Sequence, residues 1–206
     1  MESALLITSF VTLFVVVDPI GLLPIFAALT QGTSARHRRI VALRACAISA
    51  LILLGFAIFG EALLGFIGIS MPAFRIAGGI LLFLTALDML FERRTKRRED
   101  QAETEHDAPD PSVFPLAIPL IAGPGAIATI ILLTGEAQGP LEIVAILGVM
   151  LAVLAIVMLF FLAAAPFEKA LGKTGITVVT RLLGMLLAAL SVQFVLDGLR
   201  AFELPG

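Results

Sequence analysis

Six apolar stretches, each close to the length of a membrane-spanning helix, constrain this chain more than any other feature. A helix needs roughly 20 apolar residues to cross a hydrocarbon core about 30 Å thick. The stretches are continuous and do not alternate with polar residues, which excludes membrane β-barrel strands. The mean hydropathy of +1.06 points the same way. We predict an all-α integral membrane protein with six transmembrane helices, at roughly 4–30, 40–60, 74–91, 113–134, 142–165 and 178–200.

The distribution of basic residues predicts how the chain is oriented. Of the 14 Lys and Arg residues, all but Arg75 and Arg200 lie in the first, third and fifth connections or in the span turns next to them. With six spans these three connections share one side of the membrane, and excess positive charge marks the cytoplasmic side. We therefore expect both termini outside. The hydrophilic stretch 92–112 is then a charged cytoplasmic linker beside anionic headgroups.

The two halves of the chain resemble each other in sequence. EALLGFIGIS (61–70) matches EKALGKTGIT (168–177), and FRIAGGILLFLTAL (74–87) matches TRLLGMLLAALSVQ (180–193). Each half holds three spans, so the second copy enters the membrane in the opposite sense, as in many secondary transporters. Chance similarity between apolar sequences is the alternative. The predicted organisation is a first three-helix repeat at 1–91, the linker at 92–112 and a second three-helix repeat at 113–206.

The motif VVVDPIGLLPIF (15–26) places helix-breaking residues in the middle of the first span. Proline lacks the N–H for the helical bond, and it pushes the preceding residue away from helical dihedrals. We predict that the helix stops near Val17 and restarts with Asp18 as N-cap and Pro19 at the first helical position. Gly21 would allow a close approach of backbone or ligand, and Pro24 would bend the rest of the helix.

The fourth span contains a similar helix break. Pro115 and Pro119 weaken its first half, and Gly123-Pro124-Gly125 breaks it, with Gly123 in the N-cap role. Irregular backbone at membrane depth is tolerated only where it is buried in protein or lines a cavity. Paired breaks in two repeats are the best pointer in a sequence to a transporter site.

The breaks supply a candidate site for a small solute. Helix N-termini suit a carboxylate, and the carbonyls at helix C-termini suit an ammonium group. An acidic residue inside a span is a functional hypothesis by default. Simpler interpretations stay open: Asp18 as a cap only, the prolines and glycines as packing kinks, and hydroxyls bonded to their own helix. The predicted substrate-binding residues are Asp18, Pro19, Gly21, Thr85, Gly123, Pro124, Gly125, Ser191 and Gln193.

VVVDPIGLLPIF and PLAIPLIAGPGAIAT, set in two three-span halves with a charged linker, resemble the MarC family of bacterial inner-membrane proteins. The resemblance extends over nearly the whole chain. It implies a six-span protein of the bacterial inner membrane. Some relatives are described as transporters of small neutral amino acids such as glycine and alanine.

We therefore expect a secondary transporter of a small solute, by preference a small neutral amino acid, that works by alternating access. Asp18 is a candidate to carry a coupling H⁺ or to help bind Na⁺. The alternative is a non-transporting scaffold or modulator of a larger complex. No enzyme activity, cofactor, metal centre or nucleic-acid partner is expected, because the spans lack paired carboxylates and histidine, and the chain lacks a phosphate-binding loop. Small-residue faces such as Gly78-Gly79 and Gly184 leave a homo-oligomer open.

Overall fold

A computed structural model of the chain describes residues 2–93 and 110–202, and the regular structure within these ranges is entirely helical. Residues 94–109, with four of the basic residues and His106 of the predicted linker, lie outside the described residues. The helical segments are α1 (Glu2–Val17), α2 (Leu23–Leu29), α3 (Ala35–Ile67), α4 (Met71–Leu90), α5 (Ser112–Ile121), α6 (Pro124–Gly135), α7 (Pro140–Leu162) and α8 (Ala164–Phe202).

Four of these helices are long and apolar enough to cross a membrane. They are α3, α4, α7 and the part of α8 from Thr174 to Phe202. The pair α5 and α6, bent by 55° at their junction, makes a fifth candidate span. The apolar part of α1, Leu5–Val17, is shorter than a full span. The all-helical membrane protein is thus confirmed, whereas the sixth span and the inverted repeat stay predictions.

The turn between α3 and α4 is defined by local stop and start signals. Gly68 ends α3 in the left-handed conformation, at φ +83°, which glycine adopts at little cost. Ser70 then caps α4, because its hydroxyl accepts a hydrogen bond from the N–H of Ala73. Pro72 lies in the first turn of α4, where a missing N–H costs nothing. The two helices therefore run in opposite directions.

The matching segment of the second half folds differently from our expectation. We predicted a connection between 165 and 178. This stretch is largely helical, but α8 is broken within it at Gly172 (φ +60°), where two helices meet at a kink. Thr177 occupies the place of Ser70, yet Val178 and Val179 follow it instead of a proline. The second helix therefore starts without the proline signal of the first copy, and it contains the candidate span Thr174–Phe202.

Helices α4 and α8 pack closely because glycines lie in their interface. A methyl group on Gly79 would lie 2.8 Å from the carbonyl oxygen of Ser191. One on Gly184 would lie 2.9 Å from the Cβ of Met89, and one on Gly198 would lie 3.0 Å from a backbone oxygen of α4. Small residues allow such close approach of helices in membranes. Gly79 and Gly184, considered above as contacts between chains, are thus used within this chain.

Two ion pairs of basic residues lie at one end of the molecule. Arg44 at the start of α3 forms an ion pair of 3.3 Å with Asp110, just before α5. Arg181 of α8 pairs at 2.6 Å with Glu92, just after α4. Since α4 returns from the turn at 68–70 towards the start of α3, both pairs lie at the same end. The side of the membrane that this end faces stays a prediction.

Candidate functional site

The first break is centred on Asp18, which is 1% exposed. Helix α1 ends at Val17, as predicted, and the N–H of Asp18 still donates to the carbonyl of Phe14 at 2.9 Å. Asp18 then takes φ +56°, a left-handed conformation that Asp tolerates better than most residues. Its carboxylate turns back over the chain and accepts a hydrogen bond of 3.1 Å from the N–H of Gly21. Asp18 thus ends one helix and caps the turn that follows.

The second half of this span starts later than we predicted. Helix α2 begins at Leu23 and not at Pro19, because residues 18–22 form a turn in which Leu22 donates to the carbonyl of Asp18. An N-cap residue normally has an extended backbone, which Asp18 does not have. Pro24 lies in the first turn of α2, so it does not bend this helix.

Gly21 is required by the position of the Asp18 carboxylate. A methyl group at Gly21 would overlap the carboxylate oxygen and carbon atoms of Asp18. Pro19 and Gly21 are both buried with it. The first break is therefore a compact turn that is closed by its own acidic side chain.

The second break follows the prediction closely. Phe114 and Ile118, which each precede a proline, are extended, so α5 is irregular throughout. Helix α6 begins at Pro124, after an extended Gly123. A methyl group at Gly123 would overlap the carbonyl oxygen of Pro119. Only glycine therefore allows the chain to fold back this tightly before α6 starts.

The two breaks meet inside the molecule. A methyl group on Gly125 would lie 3.2 Å from Cγ1 of Val16, two residues before Asp18, and 4.0 Å from the hydroxyl oxygen of Thr85. The end of α1, the start of α6 and the middle of α4 therefore lie side by side. Pro124 is exposed, and Gly125 and Thr85 are half-buried. The first break is thus covered, whereas the second reaches the surface of the chain.

The three polar residues predicted in the third and sixth spans have different surroundings. Thr85 lies beside the second break, and its hydroxyl donates to the carbonyl of Leu81 at 2.9 Å. Ser191 is fully buried in the α4–α8 interface and donates to the carbonyl of Ala188. Gln193 is exposed and its amide donates to Asp197. The structure brings Thr85 to the breaks but places Ser191 and Gln193 elsewhere on α8.

Sequence reasoning did not single out two groups that the structure makes conspicuous. The first is an ion pair of 2.8 Å between Arg75, at the start of α4, and Glu136, just after α6. The second is a set of buried hydroxyls on α1 and α6: Ser9, Thr12 and Thr129. The spacing of Ser9, Thr12 and Val16 along one helical face could have indicated the second group.

Comparison with known proteins agrees with this architecture. The model of the MarC family integral membrane proteins matches residues 3–202. The chain belongs to the MarC family. It is a multi-pass integral membrane protein, as the family description and the candidate spans both require. No solved structure gives a significant match.

The relatives with high similarity are named as membrane proteins without a stated activity. A UPF0056 membrane protein of Archaeoglobus fulgidus is 40% identical over 193 residues, covering 93% of this chain and 90% of the relative. One from Methanocaldococcus jannaschii is 35% identical over 201 residues, covering 97% and 98%. The UPF0056 membrane protein YvbG of Bacillus subtilis is 36% identical over 203 residues, covering 97% and 96%. The similarity thus extends over nearly the whole chain, and the family match at residues 3–202 includes the positions of both breaks.

Proposed function

We propose that this MarC protein is a secondary transporter of a small solute in the bacterial inner membrane, with small neutral amino acids as its substrates. The observation that carries the proposal is the meeting of two helix breaks, at Val16 and Gly125, within an apolar helical protein. Broken backbone in a membrane exposes N–H and carbonyl groups that need partners. A zwitterionic solute provides partners for both kinds of group.

An inverted repeat is part of this proposal, and the α4–α8 interface supports it. Gly79 of α4 faces Val195 of α8, and Gly184 of α8 faces Met89 of α4. In the sequence match, Val195 takes the place of Met89, and Gly184 takes the place of Gly78. Because Gly79 and not Gly78 faces Val195, the two contacts are equivalent to within one residue when the copies are exchanged, which supports an approximate two-fold relation between them. Such a relation lets one half rock against the other around the breaks.

The two breaks have different roles in the proposed site. The N–H of Gly21 already donates to Asp18, so we assign the substrate carboxylate to the start of α6 near Gly125. The ammonium group meets the carbonyls at the end of α1. Thr85 lies close enough to Gly125 to contact the same solute. The carboxylate of Asp18 is assigned the coupling H⁺ or Na⁺, and the proposal includes no catalytic step and no cofactor.

The orientation is also part of the proposal. The end that holds the Arg44–Asp110 and Arg181–Glu92 pairs faces the cytoplasm, since these pairs adjoin the connections that carry most of the basic residues in the sequence. Both termini then face the periplasm.

Uptake of labelled glycine and alanine into proteoliposomes tests the proposal. We expect saturable uptake above that of protein-free liposomes, with a dependence on an imposed H⁺ or Na⁺ gradient. Absence of uptake of both solutes by folded protein would contradict the amino acid assignment. The non-transporting scaffold would then become the better interpretation.

A further inference from the structure

In the described part of the chain, three buried hydroxyl groups lack hydrogen-bond partners: Ser9 on α1, Thr129 on α6 and Thr180 on α8. Ser9 on α1 and Thr129 on α6 are both 0% exposed, and neither side-chain oxygen has a partner in the structure. Leaving a buried hydroxyl unpaired costs about 1–3 kcal/mol, so each case needs an explanation. Most other buried hydroxyls in the described part of the chain donate to a carbonyl of their own helix; examples are Thr12, Thr30, Ser49, Thr134 and Ser191.

The hydroxyls of α1 lie on the face that meets α6. Val16 contacts α6 at Gly125, and Thr12 and Ser9 precede Val16 by one and two turns on the same face. Helix α1 packs along α6, and the end of α1 meets the start of α6, so the two helices are antiparallel. Thr12 and Ser9 therefore lie beside successive turns of α6.

Thr129 lies on the matching face of α6. The other faces of α6 are assigned by their contacts: Leu132 lies against Gly78 of α4, and Ile131 lies against α3. Thr129 is one turn beyond Gly125, on the side of the helix away from Ile131. The helices that pack on α6 and remain for this side are α1 and α7. We infer that Thr129 and the two α1 hydroxyls share one interface.

We propose that Ser9, Thr12 and Thr129 line a path for a small hydrogen-bonding solute, between α1 and α6, from the breaks towards the end of α6 at Glu136. The inference rests on the proposed transport function and adds the route and its chemistry. A hydroxyl group both donates and accepts hydrogen bonds, so it serves the ammonium and the carboxylate of the same solute. The unpaired oxygens of Ser9 and Thr129 are paired while the solute passes.

The path is closed in this structure, because all three side chains are fully buried. It opens when α1 separates from α6, a movement that the turn at residues 18–22 permits because α1 and α2 are separate helices. In one state of alternating access, the path between α1 and α6 is open to the end of α6 at Glu136. In the other state, this path is closed, as it is in the structure.

Cysteine accessibility in membranes tests whether these residues line a path, and it does not depend on which solute is transported. In a Cys46→Ala background, Ser9→Cys and Thr129→Cys are treated with the small thiol reagent methanethiosulfonate ethylammonium. Ser49→Cys is the matched control, since Ser49 is equally buried but its hydroxyl pairs with Ala45 in α3. We expect modification at positions 9 and 129, and none at 49.

The outcomes separate this inference from the proposed function. If the reagent fails to modify positions 9 and 129, the path is overturned even if amino acids are transported. If it modifies all three positions equally, the path is also overturned, because the helices are then loosely packed throughout. Modification of 9 and 129 without glycine or alanine uptake supports the path and contradicts the proposed substrate.

Removing the hydroxyl without changing the side-chain volume gives a second test. If uptake is measurable, Thr129→Val should lower it about three- to tenfold, the equivalent of one lost hydrogen bond, while the protein remains folded. Thr134→Val is the control, because the hydroxyl of Thr134 donates to a carbonyl of its own helix, α6. This variant should take up solute at the wild-type rate. Unchanged uptake by Thr129→Val would overturn the path.

Discussion

At the scale of single residues, the carboxylate of Asp18 holds the first break together. It is buried, and it receives the N–H of Gly21 across the turn, beside the backbone bond from Leu22 to the carbonyl of Asp18. A buried carboxylate is costly unless it is hydrogen-bonded, so the turn and the charge depend on each other. The structural and the functional interpretations of Asp18 are therefore compatible, and substitution can separate them.

Asp18→Asn should preserve the turn, because an amide oxygen can still accept the N–H of Gly21. Asp18→Ala removes the acceptor and should lower the free energy of unfolding by about 1 kcal/mol, as for a lost helix cap. Thermal unfolding of the purified variants in detergent measures both effects. If Asn destabilised the protein as much as Ala, the negative charge itself would be needed for the turn.

A second residue-scale prediction concerns Asp110, which lies outside the membrane-spanning segments. Hydrogen bonds from Ser112 lower the pKa of Asp110, and the Arg44 guanidinium adds to this effect, while partial burial opposes it. A lowered pKa in the folded state means that the carboxylate contributes stability above its unfolded pKa of about 3.8. That contribution is lost as the pH falls through the folded value.

Unfolding of the wild type and of Asp110→Asn, compared between pH 6 and pH 3, measures this contribution. The wild type should be the more stable protein at pH 6, and the difference should begin to decrease as the pH falls below about 3.8 towards the lowered pKa of Asp110. A difference that stayed constant over this range would show that the charge of Asp110 is not its source.

At the scale of secondary-structure elements, the closest association is between α4 and α8. Gly184 lies against Met89 and the carbonyl oxygen of Ala86, and a methyl group there would come within 3.2 Å of that oxygen. Backbone atoms cannot move aside as a flexible side chain can. The short distance between α4 and α8 therefore depends on glycine, which has no side chain, at the points of contact.

Gly184→Ala should force the two helices apart and lower the free energy of unfolding by about 1–3 kcal/mol, as for an overpacked core. Gly148→Ala on α7 is the matched control, because nothing lies within 4 Å of its added methyl group. The control should gain up to about 1 kcal/mol from the better helix propensity of alanine. Equal effects of the two substitutions on thermal unfolding would contradict the proposed packing.

At the scale of the whole molecule, the sequence predicted the elements better than their associations. The stop at Val17 and the start at Pro124 were predictable because proline acts locally. The start of α2 at Leu23 was not, since it depends on a carboxylate that folds back over its own turn. The contact of Val16 with Gly125 joins residues far apart in sequence, and only the folded chain shows it.

The orientation of the whole molecule gives a separate prediction. In a Cys46→Ala background, Gln31→Cys lies in the first connection and Gln138→Cys in the connection between α6 and α7, and both positions are exposed. A membrane-impermeant maleimide added to intact cells should label position 138 and leave position 31 unlabelled until the cells are permeabilised. The opposite pattern would reverse the proposed topology.

The central claim is that the two breaks together form a transport site, and counterflow of labelled alanine in proteoliposomes tests it most directly. Wild type is compared with Gly125→Leu, whose side chain would crowd the contact with Val16 and Thr85, and with Gly148→Leu as the control on α7. We predict counterflow in the wild type and the control, and at least a tenfold loss in Gly125→Leu with the protein still folded. Equal counterflow in all three proteins would contradict the claim, because solute would then pass without using the breaks.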